Sequence, residues 1–155
     1  MFAEYLTYIG RTTMSNVRLR LTVMGLFIDG DDILMIHQIT HPEPDCWDLP
    51  GGGLEPHEPL LEGLAREVRE ETSVTEFNVE QFLTVAEFFY PDGDGKQLHT
   101  VNLIYRCSVN PRPLNLHSTE EEIGPRGIQW LPIRSLKQSD CSRRAWAALE
   151  AAGLV

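Results

Sequence analysis

Three consecutive glycines, Gly51 to Gly53, stand between a β-rich run and an apolar-periodic stretch whose end is crowded with glutamates. Glycines leave the backbone bare, so the chain there can approach a ligand closely and turn its carbonyls and amides toward it. The loop PGGGLEPHE ends at Glu58, and Pro59 suits the first helical position, which predicts a helix beginning near Pro59 with Glu58 at about its N-cap. At roughly 100° per residue, Leu61, Leu64, Ala65 and Val68 fall on one stripe, while Glu67, Glu70 and Glu71 share a neighbouring face. Carboxylates at i, i+3 and i+4 repel one another, and near a helix C-terminus they also oppose the macrodipole, each effect costing ~0.3–1 kcal/mol. Helix stability alone does not select them. One reading is a solvated charged face. The other is a site for a hard divalent cation, Mg²⁺ or Mn²⁺, which takes several anionic oxygens at about 2–2.2 Å. Gly63, one turn before Glu67, either leaves space for a substrate group or is a tolerated helix glycine costing ~1 kcal/mol.

The spacing across loop and helix resembles the box of the Nudix hydrolases, G-x5-E-x7-R-E-U-x-E-E-x-G-U, carried here by Gly52, Glu58, Arg66, Glu67, Val68, Glu70, Glu71 and Val74. Ser73 stands where that box has glycine, a residue that usually ends the helix in a left-handed turn, so the cap geometry is the point of departure. The resemblance implies Glu67, Glu70 and Glu71 as principal metal ligands, with the Gly51 carbonyl as a further one. It implies that Arg66 holds a carboxylate in place, against an ordinary surface pair with Glu62 or Glu70. It leaves Glu58 as a partner of the ligand set or a helix cap. The general base is expected on a box glutamate, Glu70 or Glu67, with Glu120, Glu121 and Glu122 as carboxylates of a later loop. The implied chemistry is attack of a metal-activated water on a phosphorus of a diphosphate linkage in a nucleotide or nucleoside-diphosphate derivative. The implied fold is α/β, an α/β/α sandwich with a mixed sheet between helices. The alternative is a catalytically silent module that binds a nucleotide without cleaving it.

Charge agrees with this chemistry. A net charge of −10 is tolerable around divalent ions and disfavours a broad phosphate-tracking surface for nucleic acid. The 155 residues suit one domain, expected over residues 17–155, and no apolar stretch is long enough to cross a bilayer. Residues 1–16 read as an arm, either a mobile end or a dimer contact, so a homodimer is one expectation. The N-terminus lacks a basic region followed by an apolar run and cleavage site, which makes the cytoplasm the expected compartment. Cys46, Cys107 and Cys141 have no paired metal spacing and read as reduced, buried or free thiols.

VRLRLTVMGLFID and ILMIHQI read as strands of a hairpin around DGDD. CWDLP leads into the glycine loop, with Trp47 expected in the core. FNVEQFLTVAEFFY and LHTVNLIYRCSV read as long strands joined by PDGDGKQ, GIQWLPI as a last strand, and Ser142–Ala152 as a helix turning Ala145, Trp146 and Leu149 inward. Tyr90 closes an aromatic run in which alternate residues face core and surface; the competing reading is a stacking contact with the substrate. His57 reads as a solvent-exposed loop residue or a phosphate contact.

Overall fold

The computed structural model describes residues 16–155, so the expected N-terminal arm lies, apart from Asn16, outside the described residues. The strand on which the site is built is β1, Val17–Asp29. Alternate side chains of a strand face opposite ways. Val23 and Phe27 therefore join Leu34, Val74 and Cys107 in one core, closed by Leu64 and Val68 of helix α1, Leu60–Thr72. Met24 and Leu26 join Ile33, Met35, Trp47 and Leu49 in a second, closed by Ala145, Ala148 and Leu149 of helix α2, Arg143–Ala151. The two helices thus cover opposite faces, which is the expected α/β/α arrangement.

The sheet between them is mixed. β1 turns through Gly30, at φ 61°, into β2, Asp32–Gln38, with Asp29 opposite Asp32. β3, Cys46–Asp48, continues outward from β2, and β4, Gly51–Gly53, returns antiparallel to β1. β5, Asn78–Pro91, and β6, Gln97–Ser108, form the second long hairpin. β6 then lies parallel to β1 from Val17 opposite Gln97 to Phe27 opposite Cys107. β7, Ile123–Pro132, starts earlier than the run GIQWLPI suggests and pairs with β2. The order is β3-β2-β1-β6-β5, with β4 also on β1 and β7 also on β2. Two 3₁₀ turns, Ile133–Ser135 and Gln138–Asp140, lead to α2, where the Ser142 side chain accepts from the Ala145 amide as N-cap. Among the described residues, no helix is long and apolar enough to cross a membrane.

Helix α1 departs from expectation in three ways. Its N-cap is Pro59, with no side-chain cap bond, so Glu58 is not a cap. Leu61 and Ala65 are exposed, and the buried positions are Gly63, Leu64, Val68, Glu71 and Thr72. The helix lies over β4 and the adjoining part of β1, which narrows its apolar stripe and turns a carboxylate inward. Gly63 leaves no open space: a Cβ there would stand 2.6 Å from Leu54 Cδ1 and 2.9 Å from Glu58 Oε2. It lets the loop close onto the helix.

Ser73 takes the left-handed conformation that a glycine would, at φ 65° and ψ 10°, and its amide donates to the Arg69 carbonyl. Its hydroxyl donates to the His117 carbonyl at 2.7 Å. A left-handed residue other than glycine costs ~1–2 kcal/mol, and a net hydrogen bond returns ~0.5–1.5 kcal/mol. Ser73→Gly is therefore expected to stay within ~0.5 kcal/mol of the parent, because relief of strain offsets the lost bond. Ser73→Ala keeps the strain and loses the bond, so its stability in urea denaturation should fall by ~0.5–1.5 kcal/mol.

Candidate active site

The glycine strand is locked into the sheet by close approach. Gly51 has φ 140°, and a Cβ there would lie 2.2 Å from the Val23 carbonyl oxygen and 2.7 Å from Met24 Cα. At Gly52 a Cβ would lie 2.5 Å from Glu67 Oε2. These two glycines thus make room first for β1 and for the Glu67 carboxylate, where the sequence suggested room for a ligand. The amide of Gly25 donates to the Pro50 carbonyl at 2.8 Å and that of Leu54 to the Leu21 carbonyl at 3.0 Å, fixing the strand at both ends.

Arg66 joins the loop to the helix. Its Nε donates to Glu58 Oε1 at 2.7 Å, and its Nη2 donates to Glu58 Oε2 and to the Gly53 carbonyl, each at 3.0 Å. Its Nη1 donates to Glu67 Oε1 at 2.9 Å and to Glu70 Oε2 at 3.1 Å. Glu58 also accepts from the Glu55 amide at 3.0 Å. The hydrogen bonds from Arg66 and then that amide hold its carboxyl down to a pKa of about 2. Arg66 is therefore no ordinary surface pair, and it does not contact Glu62 among its hydrogen-bonded partners.

The third box glutamate is held from the other side. Glu71 is 8% exposed, and its Oε2 accepts from the Gly51 amide at 2.7 Å. Burial pushes its carboxyl well above the usual range, against the opposing pull of that amide. Burial likewise raises Glu67, with Arg66 acting in the opposite direction. One buried and one half-buried acid thus stand side by side with their charge only partly compensated by the protein, an arrangement a bound cation would relieve.

Gly51, Gly52, Glu67, Glu70 and Glu71 line one cleft of about 190 Å³. The loop before β7 brings further carboxylates there. Its Thr119 amide donates to the Glu70 carbonyl at 3.0 Å, and the Ser118 and Thr119 hydroxyls donate to the same oxygen at 3.1 and 3.2 Å. These bonds satisfy a carbonyl in the last turn of α1, and they carry Glu120 and Glu122 to the cleft wall. Glu121 is not among the lining residues, so of the three loop carboxylates it is the one turned elsewhere. Tyr90 is buried and borders the cleft, while Phe89 is half-exposed, so the alternation of the aromatic run holds. The Tyr90 hydroxyl donates to Glu43 Oε2 at 2.8 Å. His57 is exposed and does not line the cleft.

Several cleft residues escaped the sequence reading. Asp48 is 1% exposed and accepts from Arg144 Nη2 at 2.7 Å, the Ser142 hydroxyl at 2.7 Å and the Leu49 amide at 2.8 Å. Arg144 Nη1 also donates to Asn102 Oδ1 at 3.3 Å. Burial opposes the charge on Arg144, but Asp48 more than offsets it and the guanidinium's pKa is raised. The legible signal was Arg144 itself: it shares a helical stripe with Ala145, Ala148 and Leu149, where an arginine needs a buried partner. The three cysteines are buried and free, and burial raises the thiols of Cys46 and Cys107 to about 12 and that of Cys141 to about 11. None is poised as a nucleophile at neutral pH.

The lining carries seven carboxylates, Glu43, Asp48, Glu67, Glu70, Glu71, Glu120 and Glu122, against two guanidiniums, Arg20 and Arg144. That donor chemistry fits a hard divalent cation. Among the described residues no three such side chains already converge as a cation cage. Glu67 and Glu70 each give an oxygen to Arg66 instead.

Comparison with known proteins agrees with the geometry. Residues 18–149 match the NUDIX domain. The nucleoside triphosphatase NudI of Klebsiella pneumoniae is 28% identical over 119 residues, covering 72% of this chain and 79% of that protein. NudI of an Enterobacter species is 29% identical over the same shares. Among solved structures, a MutT NUDIX hydrolase from Burkholderia pseudomallei superposes with a TM-score of 0.69 at 24% identity, covering 86% of this chain and 98% of that one. The NUDIX domain of Shewanella oneidensis NrtR, solved with ADP ribose, gives 0.70 at 20% identity, covering 99% and 97%. The chain belongs to the Nudix family.

The buried charge of Glu71 yields a stability test. Its folded pKa lies above the unfolded value, so the protein loses stability as pH rises above about 4.5 toward the folded pKa, and the loss persists beyond it. Glu71→Gln keeps an acceptor for the Gly51 amide and removes the charge. In the presence of a chelator at pH 7 this variant should melt a few degrees higher than the parent, about 1–3 kcal/mol, and the gap should close near pH 4.

Proposed function

We propose that residues 17–155 act as one catalytic unit, a divalent-metal-dependent hydrolase that cleaves a diphosphate linkage in a nucleotide or nucleoside-diphosphate derivative. The observation that carries this reading is the convergence of Glu67, Glu70 and Glu71 on one cleft, braced by Arg66 and the Gly51 amide. The similarity to nucleoside triphosphatases favours nucleoside triphosphates as the substrates to try first.

Glu67, Glu70, Glu71 and the Gly51 carbonyl would hold Mg²⁺ or Mn²⁺, which when bound neutralises phosphate oxygens and acidifies water. The chain's own residues do the rest. Arg66 holds one oxygen each of Glu67 and Glu70 beside the glycine strand, which limits how far the two carboxylates must turn to bind. Each of Glu67 and Glu70 gives Arg66 a single oxygen, but Glu70 has 32% of its side chain exposed, against 15% for Glu67. It is the carboxylate placed to take a proton from a water in the cleft and release it to solvent. Glu67, pressed against Gly52, serves as a ligand.

The second reading, a module that binds nucleotide without cleaving it, has against it the complete carboxylate set. The deciding experiment is a panel of nucleoside triphosphates, ADP-ribose, dinucleoside polyphosphates and nucleotide sugars with Mg²⁺ or Mn²⁺, with products resolved by mass. Turnover of at least one is expected. Glu70→Gln should lower kcat by ~10²–10⁴ at saturating metal, whereas Glu67→Gln should first raise the metal concentration needed. Saturable binding without product across the panel would establish the binding module instead.

A further inference from the structure

We propose that Arg20 grips a phosphate of the substrate, an inference that rests on the cleft being a phosphate-anhydride site and goes beyond its box residues. Arg20 lies on β1 opposite Thr100 of β6. Two residues on, Thr22 is opposite Gly53 on β4 and gives its hydroxyl to Asn102 Oδ1 at 2.7 Å. Arg20 shares that face of the strand and reaches over the glycine strand. Its Nε and Nη2 each stand 3.5 Å from where a Cβ on Gly53 would be. The guanidinium therefore lies beside the same three residues that Glu67 and Glu71 abut, and it lines the cleft with them.

The two cleft cations differ in what holds them. Arg144 is committed to Asp48 and Asn102 and offers the cleft mainly its field. Among the described residues Arg20 has neither a hydrogen bond nor an ion pair, whereas Arg18, Arg66, Arg112 and Arg126 all have carboxylate partners. Although Arg20 is exposed as a whole residue, partial desolvation of its guanidinium and the like charge of Arg144 disfavour its charge, while Glu122 and Glu67 favour it without bonding it. Two guanidiniums that repel across one cleft, one with its donors unused, are reconciled by an anion between them. The planar fork matches two phosphate oxygens. A carboxylate ligand would bring one charge into a cleft already rich in carboxylates, whereas a phosphate chain carries several charges and can share cations with the glutamates.

The test uses Arg20→Gln and Arg20→Lys in the full chain. Inorganic tripolyphosphate and an uncharged nucleoside are titrated calorimetrically, with Mg²⁺ and with a chelator, and kinetics follow on any triphosphate that the parent hydrolyses. Arg20 faces the open cleft, so melting temperatures should be unchanged. Arg20→Gln should weaken tripolyphosphate binding by ~10–100-fold, the worth of charge-assisted hydrogen bonds. Lysine should restore part of it, nucleoside binding should not move, and KM should rise while kcat stays within about threefold. Unchanged tripolyphosphate affinity would overturn the proposal, as would a parent that binds none in either condition. Lost nucleoside affinity with tripolyphosphate unaffected would assign Arg20 to the base instead. A parent that binds tripolyphosphate through Arg20 yet hydrolyses no substrate would leave the inference standing and sink the hydrolase reading.

Discussion

One guanidinium ties the site together. Arg66 spends its donors on acceptors from three places, the Glu58 carboxylate of the loop, the Gly53 carbonyl of β4, and Glu67 and Glu70 of its own helix. Without a cation at their centre, glutamates one turn apart would repel and splay toward solvent. A charge-assisted hydrogen bond is roughly twice as strong as a neutral one, and a planar fork fixes direction as well as distance. Arg66 therefore sets both the docking of the loop on the helix and the orientation of the carboxylates. Lysine, with one point charge, would reach only part of this set.

That arrangement depends in turn on how tightly β4 meets β1. Backbone-to-backbone approach at Gly51 and side-chain-to-backbone approach at Gly52 leave no room for a Cβ, so the glutamates can stand against the sheet itself. Glu71 is then buried with the Gly51 amide as its hydrogen-bond partner among the described residues, which costs stability whenever its carboxyl is charged. The same strand carries Arg20 and Thr22 toward the cleft, while the C-terminal end of α1 anchors the loop that brings Glu120 and Glu122. The glycine strand and Arg20 are thus set by neighbouring registers of β1, while Arg144 reaches the cleft from α2 through Asp48 and Asn102.

Much of this was legible in the chain. The strand runs, the two hairpins and the terminal helix follow from period-two and period-three-to-four patterns with turn residues between them, and apart from the earlier start of β7 they stand where those patterns place them. The box glutamates line one cleft because i, i+3 and i+4 share a helix face. What escaped has a common cause: it depends on contacts between segments far apart in sequence. Leu61 and Ala65 look like core on a helical wheel, but only the fit of α1 over β4 shows that the stripe is narrower. Gly63 reads as open space until Leu54 folds onto it. Asp48 and Arg144 are 96 positions apart, and neither reveals the other without the fold. Ser73 is the converse case, a local irregularity in sequence that the structure absorbs through a hydroxyl bond across the helix end.

The central claim is that the glutamates organised by Arg66 form a cation site. It is tested most directly by titrating Mn²⁺ into the protein while following water-proton relaxation, in the parent and in Glu71→Gln and Arg66→Gln. Saturable binding is expected in the parent, weakened at least tenfold in both variants even though Arg66 is not itself a ligand. Equal Mn²⁺ affinity in all three would contradict the account.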